Sequence, residues 1–257
     1  MSKIIVSTGR GGTGKSTFVT LFARYINAYP VLLIDLDPDG SLVEMLGVDL
    51  EKAGKKTVSE ALYDIITENG AIRENDKGST SEIIRNMIKD GGNCLYKEEQ
   101  FDLISLGEKI TPGCYCYADA VIKDAIPQLA QNYEIIAVDS PAGLEHLNRK
   151  VTPEIDDLFV ILDPSEKSRK HIDRIKSVAK GAKISYKHFY LVGNYRFTEE
   201  AEKYLHDTGE IYQGKIAADP LVREYNLKGK SLLSLPEDAP ASLSVKKILV
   251  KAGYQVR

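Results

Sequence analysis

Residues 9–17 read Gly-Arg-Gly-Gly-Thr-Gly-Lys-Ser-Thr and follow the short apolar run Ile4-Ile5-Val6. This is a phosphate-binding loop of the Walker A type, and each residue in it has a chemical reading. The glycines withdraw side chains, so the backbone can curl around a triphosphate and aim its N–H groups inward. Lys15 brings a point charge to the β- and γ-phosphates, and Ser16 a hydroxyl to Mg²⁺. The helix expected after the loop adds its positive end. Gly11, Gly12, Thr13, Gly14, Lys15, Ser16 and Thr17 are the expected ATP contacts, with ATP and Mg²⁺ the implied cofactors.

A loop of this kind needs acids to hold the metal and to place a water. Two apolar runs end in them. Val31-Leu32-Leu33-Ile34 leads into Asp35-Leu36-Asp37-Pro38-Asp39-Gly40, and Ile135-Ile136-Ala137-Val138 into Asp139-Ser140-Pro141-Ala142-Gly143. Asp139 is the candidate for Mg²⁺, directly or through water. Asp37 is the candidate for orienting or deprotonating the attacking water, and Asp35 and Asp39 are further candidates at the metal. The competing reading of 35–40 is an acidic turn at a strand end.

A third stretch, Pro112-Gly113-Cys114-Tyr115-Cys116, carries two thiols at i and i+2. They can face one ion only where the backbone is extended or turned. Two thiolates fall short of the four ligands that Zn²⁺ prefers or the square-planar set that Ni²⁺ accepts. Two copies about a two-fold axis supply four sulfurs, so the pair implies a homodimer if it binds metal at all. Coincidence and a redox pair remain open readings of Cys-x-Cys. Cys94 has no neighbouring thiol and reads as buried or incidental.

These groups require a scaffold that brings strand ends together. Strands are expected at 3–8, 31–36, 101–106, 134–139, 157–162 and 188–193. Their near-continuous apolar character suits a buried parallel sheet. Helices are expected near 15–28, 57–68, 79–90, 117–131, 167–180, 198–207 and 240–252, with a polar loop at 70–80. That alternation predicts an α/β, doubly wound, mostly parallel sheet, in which both acidic clusters reach the carboxyl edge beside the loop. With 257 residues, one domain over 1–257 is the expectation. A net charge of −3 gives no footprint for nucleic acid. No run of about eighteen apolar residues predicts a membrane span. Three cysteines make no disulfide framework, so the expected setting is the reducing cytoplasm.

The loop and its acids resemble the deviant Walker A ATPases, the MinD, ParA and nitrogenase-iron-protein class. That class carries a lysine before the Gly-Gly pair that reaches across a dimer to the partner's nucleotide. Arg10 stands there in this chain, which keeps the charge and changes the geometry. The resemblance makes Arg10 a candidate catalytic residue in trans, like an arginine finger. It also implies that Asn194, which ends Tyr190-Leu191-Val192-Gly193, reads the adenine edge, and it places Ala218-Asp219-Pro220 near the base. More narrowly, the loop, the Cys-x-Cys pair, Asp139 to Arg149 and Gly229 to Ala241 look like the CooC family over nearly the whole chain. That resemblance implies an ATP-dependent nickel chaperone. Cys114 and Cys116 would hold Ni²⁺, or Zn²⁺ as competitor, at the interface of a homodimer, and the client would be apo carbon monoxide dehydrogenase or acetyl-CoA synthase. Position 141, a proline here, departs from the Asp-x-Glu-Ala-Gly pattern of that family. His146 reads as a packing or hydrogen-bonding group, and Tyr115 and Tyr117 as interface packing or as a screen for the metal. The alternative is a MinD- or ParA-type positioning ATPase. It would need a membrane helix, for which the basic tail 244–252 is short, or a DNA-binding surface, which the net charge does not encourage. No nucleic acid and no membrane are expected as partners.

Overall fold

The computed structural model describes residues 2–68, 82, 86–88, 92–108, 116–143 and 154–257, and only the backbone of 66, 68, 116–119 and 121. Its elements run β1 (Lys3–Gly9), α1 (Lys15–Tyr25), β2 (Val31–Asp35), α2 (Ser41–Leu46), α3 (Val58–Glu68), β3 (Tyr96–Lys97), β4 (Asp102–Ser105), α4 (Cys116–Leu129) and β5 (Ile135–Asp139). There follow β6 (Glu154–Leu162), α5 (Glu166–Gly181), β7 (Ser185–Gly193), α6 (Glu199–His206), β8 (Ile211–Lys215), α7 (Pro220–Leu227), a 3₁₀ turn (Leu232–Ser234) and α8 (Pro240–Lys251).

The strands form one sheet in the order β3-β4-β2-β5-β1-β6-β7-β8. Every pairing is parallel except β3 with β4. All five residues of β2 and of β5 are buried, as the unbroken apolar runs require of strands covered on both faces. Alternation sorts their side chains. Val6, Leu32, Ile34, Ile136, Val138, Leu158 and Val160 meet residues of α3, α4, α5 and α6. Ile5, Leu33, Ala137, Phe159 and Ile161 meet α1, α2, the 3₁₀ turn and α8. The sheet is therefore doubly wound, as expected.

The six expected strands are present with shifts of a few residues. Four short strands and helices, and the 3₁₀ turn, were not foreseen. β3 has two residues. The edge strand β8 reads Ile-Tyr-Gln-Gly-Lys, without an apolar run. α2 has six residues, too few for a periodicity. α7 buries no residue fully, and Leu221, Val222 and Tyr225 only partly cover the core. The polar loop at 70–80 and most of the expected helix at 79–90 lie outside the described residues.

A buried charge ties the chain's end to the sheet. Asp157, in the first half of β6, is fully buried. Its Oδ2 lies 2.8 Å from Lys3 Nζ and accepts the Tyr254 hydroxyl, and its Oδ1 lies 2.6 Å from His188 Nδ1. Lys3 Nζ also sits 3.9 Å above the centre of the Tyr254 ring. Burial, with Asp157 beside it, pushes the Tyr254 phenol far up. β1, β6, β7 and the segment after α8 are thus joined at one carboxylate. Tyr254→Phe should lower the unfolding free energy by about 1.5–3 kcal/mol, the range for a hydrogen bond to a charged group. Urea melts should show that loss, and nucleotide affinity should not change.

Candidate functional site

β1 ends at Gly9, opposite Ile161 of β6. A Cβ on Gly9 would fall 2.3 Å from the Ile161 carbonyl oxygen, so only glycine lets the chain leave the sheet at this point. The loop then closes on itself, the Thr13 hydroxyl donating to the Arg10 carbonyl at 2.9 Å. Gly14 occupies the N-cap of α1 and has no side chain to cap it. The first-turn N–H groups of α1 are therefore left for an external acceptor, which is what a phosphate supplies. Lys15 is buried, and its ammonium donates to the Arg10 carbonyl at 3.3 Å. Burial pushes its pKa down, while Asp139 and Asp37 act to keep it charged.

Asp35 and Asp139 stand side by side, as register partners at the ends of β2 and β5. Both are 0% exposed, but their surroundings differ. Asp35 is fully engaged: Oδ1 accepts the Asp37 N–H at 3.0 Å, and Oδ2 accepts those of Leu42 and Val43 at 3.1 and 3.3 Å. Neither oxygen of Asp139 has a hydrogen-bond partner among the described residues. Burial pushes the Asp139 carboxyl up. The Ser16 hydroxyl, which faces it, and Lys15 pull against this, although no described side chain closes a full hydrogen bond to it. Burial also pushes Asp35 up, and the neighbouring Asp139 adds to it. A buried carboxylate with two bare oxygens, beside a serine hydroxyl and a phosphate-binding helix end, fits a hard divalent cation. Asp139 and Ser16 would hold Mg²⁺, whose chemistry is to neutralise phosphate charge. Asp35 spends both oxygens on backbone N–H groups, so it is less available to a metal than Asp139. Asp37 is part-exposed, and its Oδ1 accepts only the Asp39 N–H, at 3.2 Å.

Arg10 reaches back within its own chain. Its Nη1 lies 3.1 Å from Ser165 Oγ and 3.5 Å from Asp163 Oδ2, and the residue remains part-exposed. Burial raises Asp163, but hydrogen bonds with Ser165 and Ser168, with Arg10 beside them, hold it below the ordinary carboxylate value. Ser165 also caps α5 through the Ser168 N–H. His171, one turn along, is buried, with no partner for Nε2 among the described residues. Desolvation, with Arg10 nearby, pushes its pKa down. Sequence reading missed Asp163 and Ser165 as partners of Arg10. Their signal was available in Asp163-Pro164-Ser165 ending a strand, as Asp35-Leu36-Asp37-Pro38 does.

Asn194 is 1% exposed at the end of β7. Its Oδ1 accepts the Arg196 N–H at 3.0 Å, and its Nδ2 has no partner among the described residues. The free edge of this amide is a donor, suited to a ring nitrogen of a base. Asp219 spends its carboxylate elsewhere, on the N–H groups of Leu221 and Ala241 at the starts of α7 and α8. Cys114, Tyr115 and His146 lie outside the described residues. Cys116 begins α4, with only its backbone described. Among the described residues no group of three or more His, Cys, Asp or Glu is placed to hold a metal. Cys94 is buried and free, and burial pushes its thiol up to about 12, which makes it inert. No described helix is long and apolar enough to cross a membrane.

The model of a family described as AAA domain matches residues 1–187. An uncharacterized ATP-binding protein of Methanocaldococcus jannaschii is 33% identical over 257 residues, covering 96% of this chain and 97% of its own. The carbon monoxide dehydrogenase accessory protein CooC of Rhodospirillum rubrum is 29% identical over 192 residues, 68% of each chain. Among solved structures, the MinD cell division protein of Aquifex aeolicus superposes with a TM-score of 0.64 at 19% identity, covering 100% of this chain and 99% of that one.

The bare carboxylate of Asp139 sets a pH dependence. Its folded pKa lies above the unfolded value of about 3.9. The stability it contributes is therefore complete below that unfolded value and is lost as pH rises through the folded one. Without divalent cation, the wild type should lose at least about 1 kcal/mol relative to Asp139→Asn between about pH 5 and pH 8. Urea melts across that range check it. The same substitution should lower Mg²⁺-dependent ATP hydrolysis by about 100-fold or more.

Proposed function

This chain belongs to the AAA domain family of P-loop ATPases, and from that premise we propose that it is an ATP-driven nickel chaperone. In this reading a homodimer carries Ni²⁺ as cargo between two copies of Cys114 and Cys116 and delivers it to apo carbon monoxide dehydrogenase or acetyl-CoA synthase. ATP binding and hydrolysis switch the dimer, and with it the metal site.

The observation that carries the switch is the contrast between the two buried acids. Asp139 is free to take Mg²⁺, while Asp35 is spent on the loop that bears Asp37. Lys15 and the first turn of α1 bind the phosphates, Asn194 contacts the base, and Asp37 orients the water. Loss of the γ-phosphate removes contacts near that loop and lets it relax. Support for the nickel half is the Cys114-Tyr115-Cys116 spacing, together with the likeness to a carbon monoxide dehydrogenase accessory protein. The pair leads into α4, which packs on the same sheet face as α3 and α5. Arg10 has two roles in this scheme. In the single chain it is held by Asp163 and Ser165, and in the dimer it reaches the partner's nucleotide.

Purified protein mixed with Ni²⁺, with and without ATP, should bind about one metal per dimer, since two thiolates per chain make one four-sulfur site. Metal analysis and mass in solution read this directly. Cys114→Ser with Cys116→Ser should abolish the bound metal and leave ATP affinity unchanged. A monomer with no cysteine-dependent metal would sink the nickel reading, and ATP-dependent retention on DNA or lipid vesicles would then favour the positioning ATPase. Lys15→Ala should abolish hydrolysis. Arg10→Ala should slow hydrolysis by about 10-fold or more if the guanidinium acts across the dimer, with Arg10→Lys near wild type if charge alone matters.

A further inference from the structure

α2 is short and begins at Gly40, an N-cap with no side chain to accept from the first turn. A helix start of this kind leaves N–H groups unsatisfied. Here the acceptor comes from outside the helix. Asp35, in the preceding strand, takes the N–H groups of Leu42 and Val43 on Oδ2 and that of Asp37 on Oδ1. One carboxylate thereby closes the loop between β2 and α2, and Asp37 lies within it. The base of the loop is pinned on both sides. The Leu36 N–H donates to the Asp139 carbonyl at 3.0 Å, and the Leu106 N–H to the Asp35 carbonyl at 2.8 Å. Within the loop, the Gly40 N–H donates to the Asp37 carbonyl at 3.0 Å, a turn made possible by the positive φ of 65° at Gly40.

We propose that Asp35 is a positioning residue for hydrolysis: as a remote cap of α2 it fixes the loop that presents Asp37, and it touches neither metal nor nucleotide. This rests on Asp37 being the residue that orients the water. Two features separate Asp35 from an ordinary buried acid. Every acceptor direction it uses points at the backbone of the loop or of the first turn of α2, whose own N-cap, Gly40, offers no side chain. Its register partner Asp139, at equal depth, makes no such bond. A shift of about 1 Å in a catalytic group can cost about 100-fold in rate without loss of binding.

The test is a double-mutant cycle on kcat. Asp35→Asn keeps the shape and replaces one acceptor by a donor. It should lower kcat by about 10- to 100-fold while KM for ATP changes by less than about twofold. In an Asp37→Asn background the same change should lower kcat by less than about twofold further, because the group it places is already gone. Losses that multiply in the double variant would overturn the proposal and leave the Asp37 reading standing. An Asp37→Asn single variant with wild-type kcat would overturn both. Native-state hydrogen exchange on the wild type needs no variant to fold. The Leu42 and Val43 amides should exchange far more slowly than solvent-exposed amides without a hydrogen bond, and free exchange at both would refute the remote cap.

Discussion

Two carboxylates, Asp35 and Asp139, are withdrawn from water at the ends of adjacent strands, and the remainder of the site is arranged around how each is compensated. Burying an ionised group without a partner is among the costliest steps in folding. Asp35 meets that cost with backbone N–H groups, and the outcome is a shaped loop. Asp139 finds no such partner among the described residues, which fits a cation site. The neighbouring Lys15 is pulled both ways, discharged by burial and held charged by the acids it faces. Bringing nucleotide and cation together completes charges that the protein alone leaves incomplete.

The opposite approach holds at Asp157. That carboxylate is equally buried, but Lys3, His188 and Tyr254 surround it. Its bonds join the first strand to the last segment, so α8 is held over the same face as α1. Satisfied, the acid serves as a fastener, whereas Asp139, without partners among the described residues, is a candidate site. The difference lies in the partners that tertiary structure delivers, since both are aspartates in a parallel strand.

The ATP-handling part of the chain was largely legible from residue order. Gly9 to Thr17, the apolar runs and the acids at their ends specify a loop, a sheet and an edge, because strand burial and parallel direction leave few other arrangements. Short or polar elements escaped. β8 offers no apolar run, and α2 has neither the length for a periodicity nor a capping side chain at its start. A helix whose cap lies seven residues upstream, on another element, leaves no local pattern to read.

What the sequence determined by itself was the chemistry on offer: a phosphate loop, acids at strand ends, an amide after β7 and a thiol pair. Those follow from residue type and local spacing, which the chain carries in one dimension. Only the tertiary structure decided which acid is free and which is spent, that Arg10 rests on Asp163 and Ser165 within its own chain, and that Asn194 presents a donor. Those outcomes depend on hydrogen bonds between residues brought together by sheet register and by the folding-back of loops. A carboxylate's role is set by the donors that reach it, and at Asp35 those donors are backbone N–H groups, which every residue except proline carries and which no sequence pattern can single out.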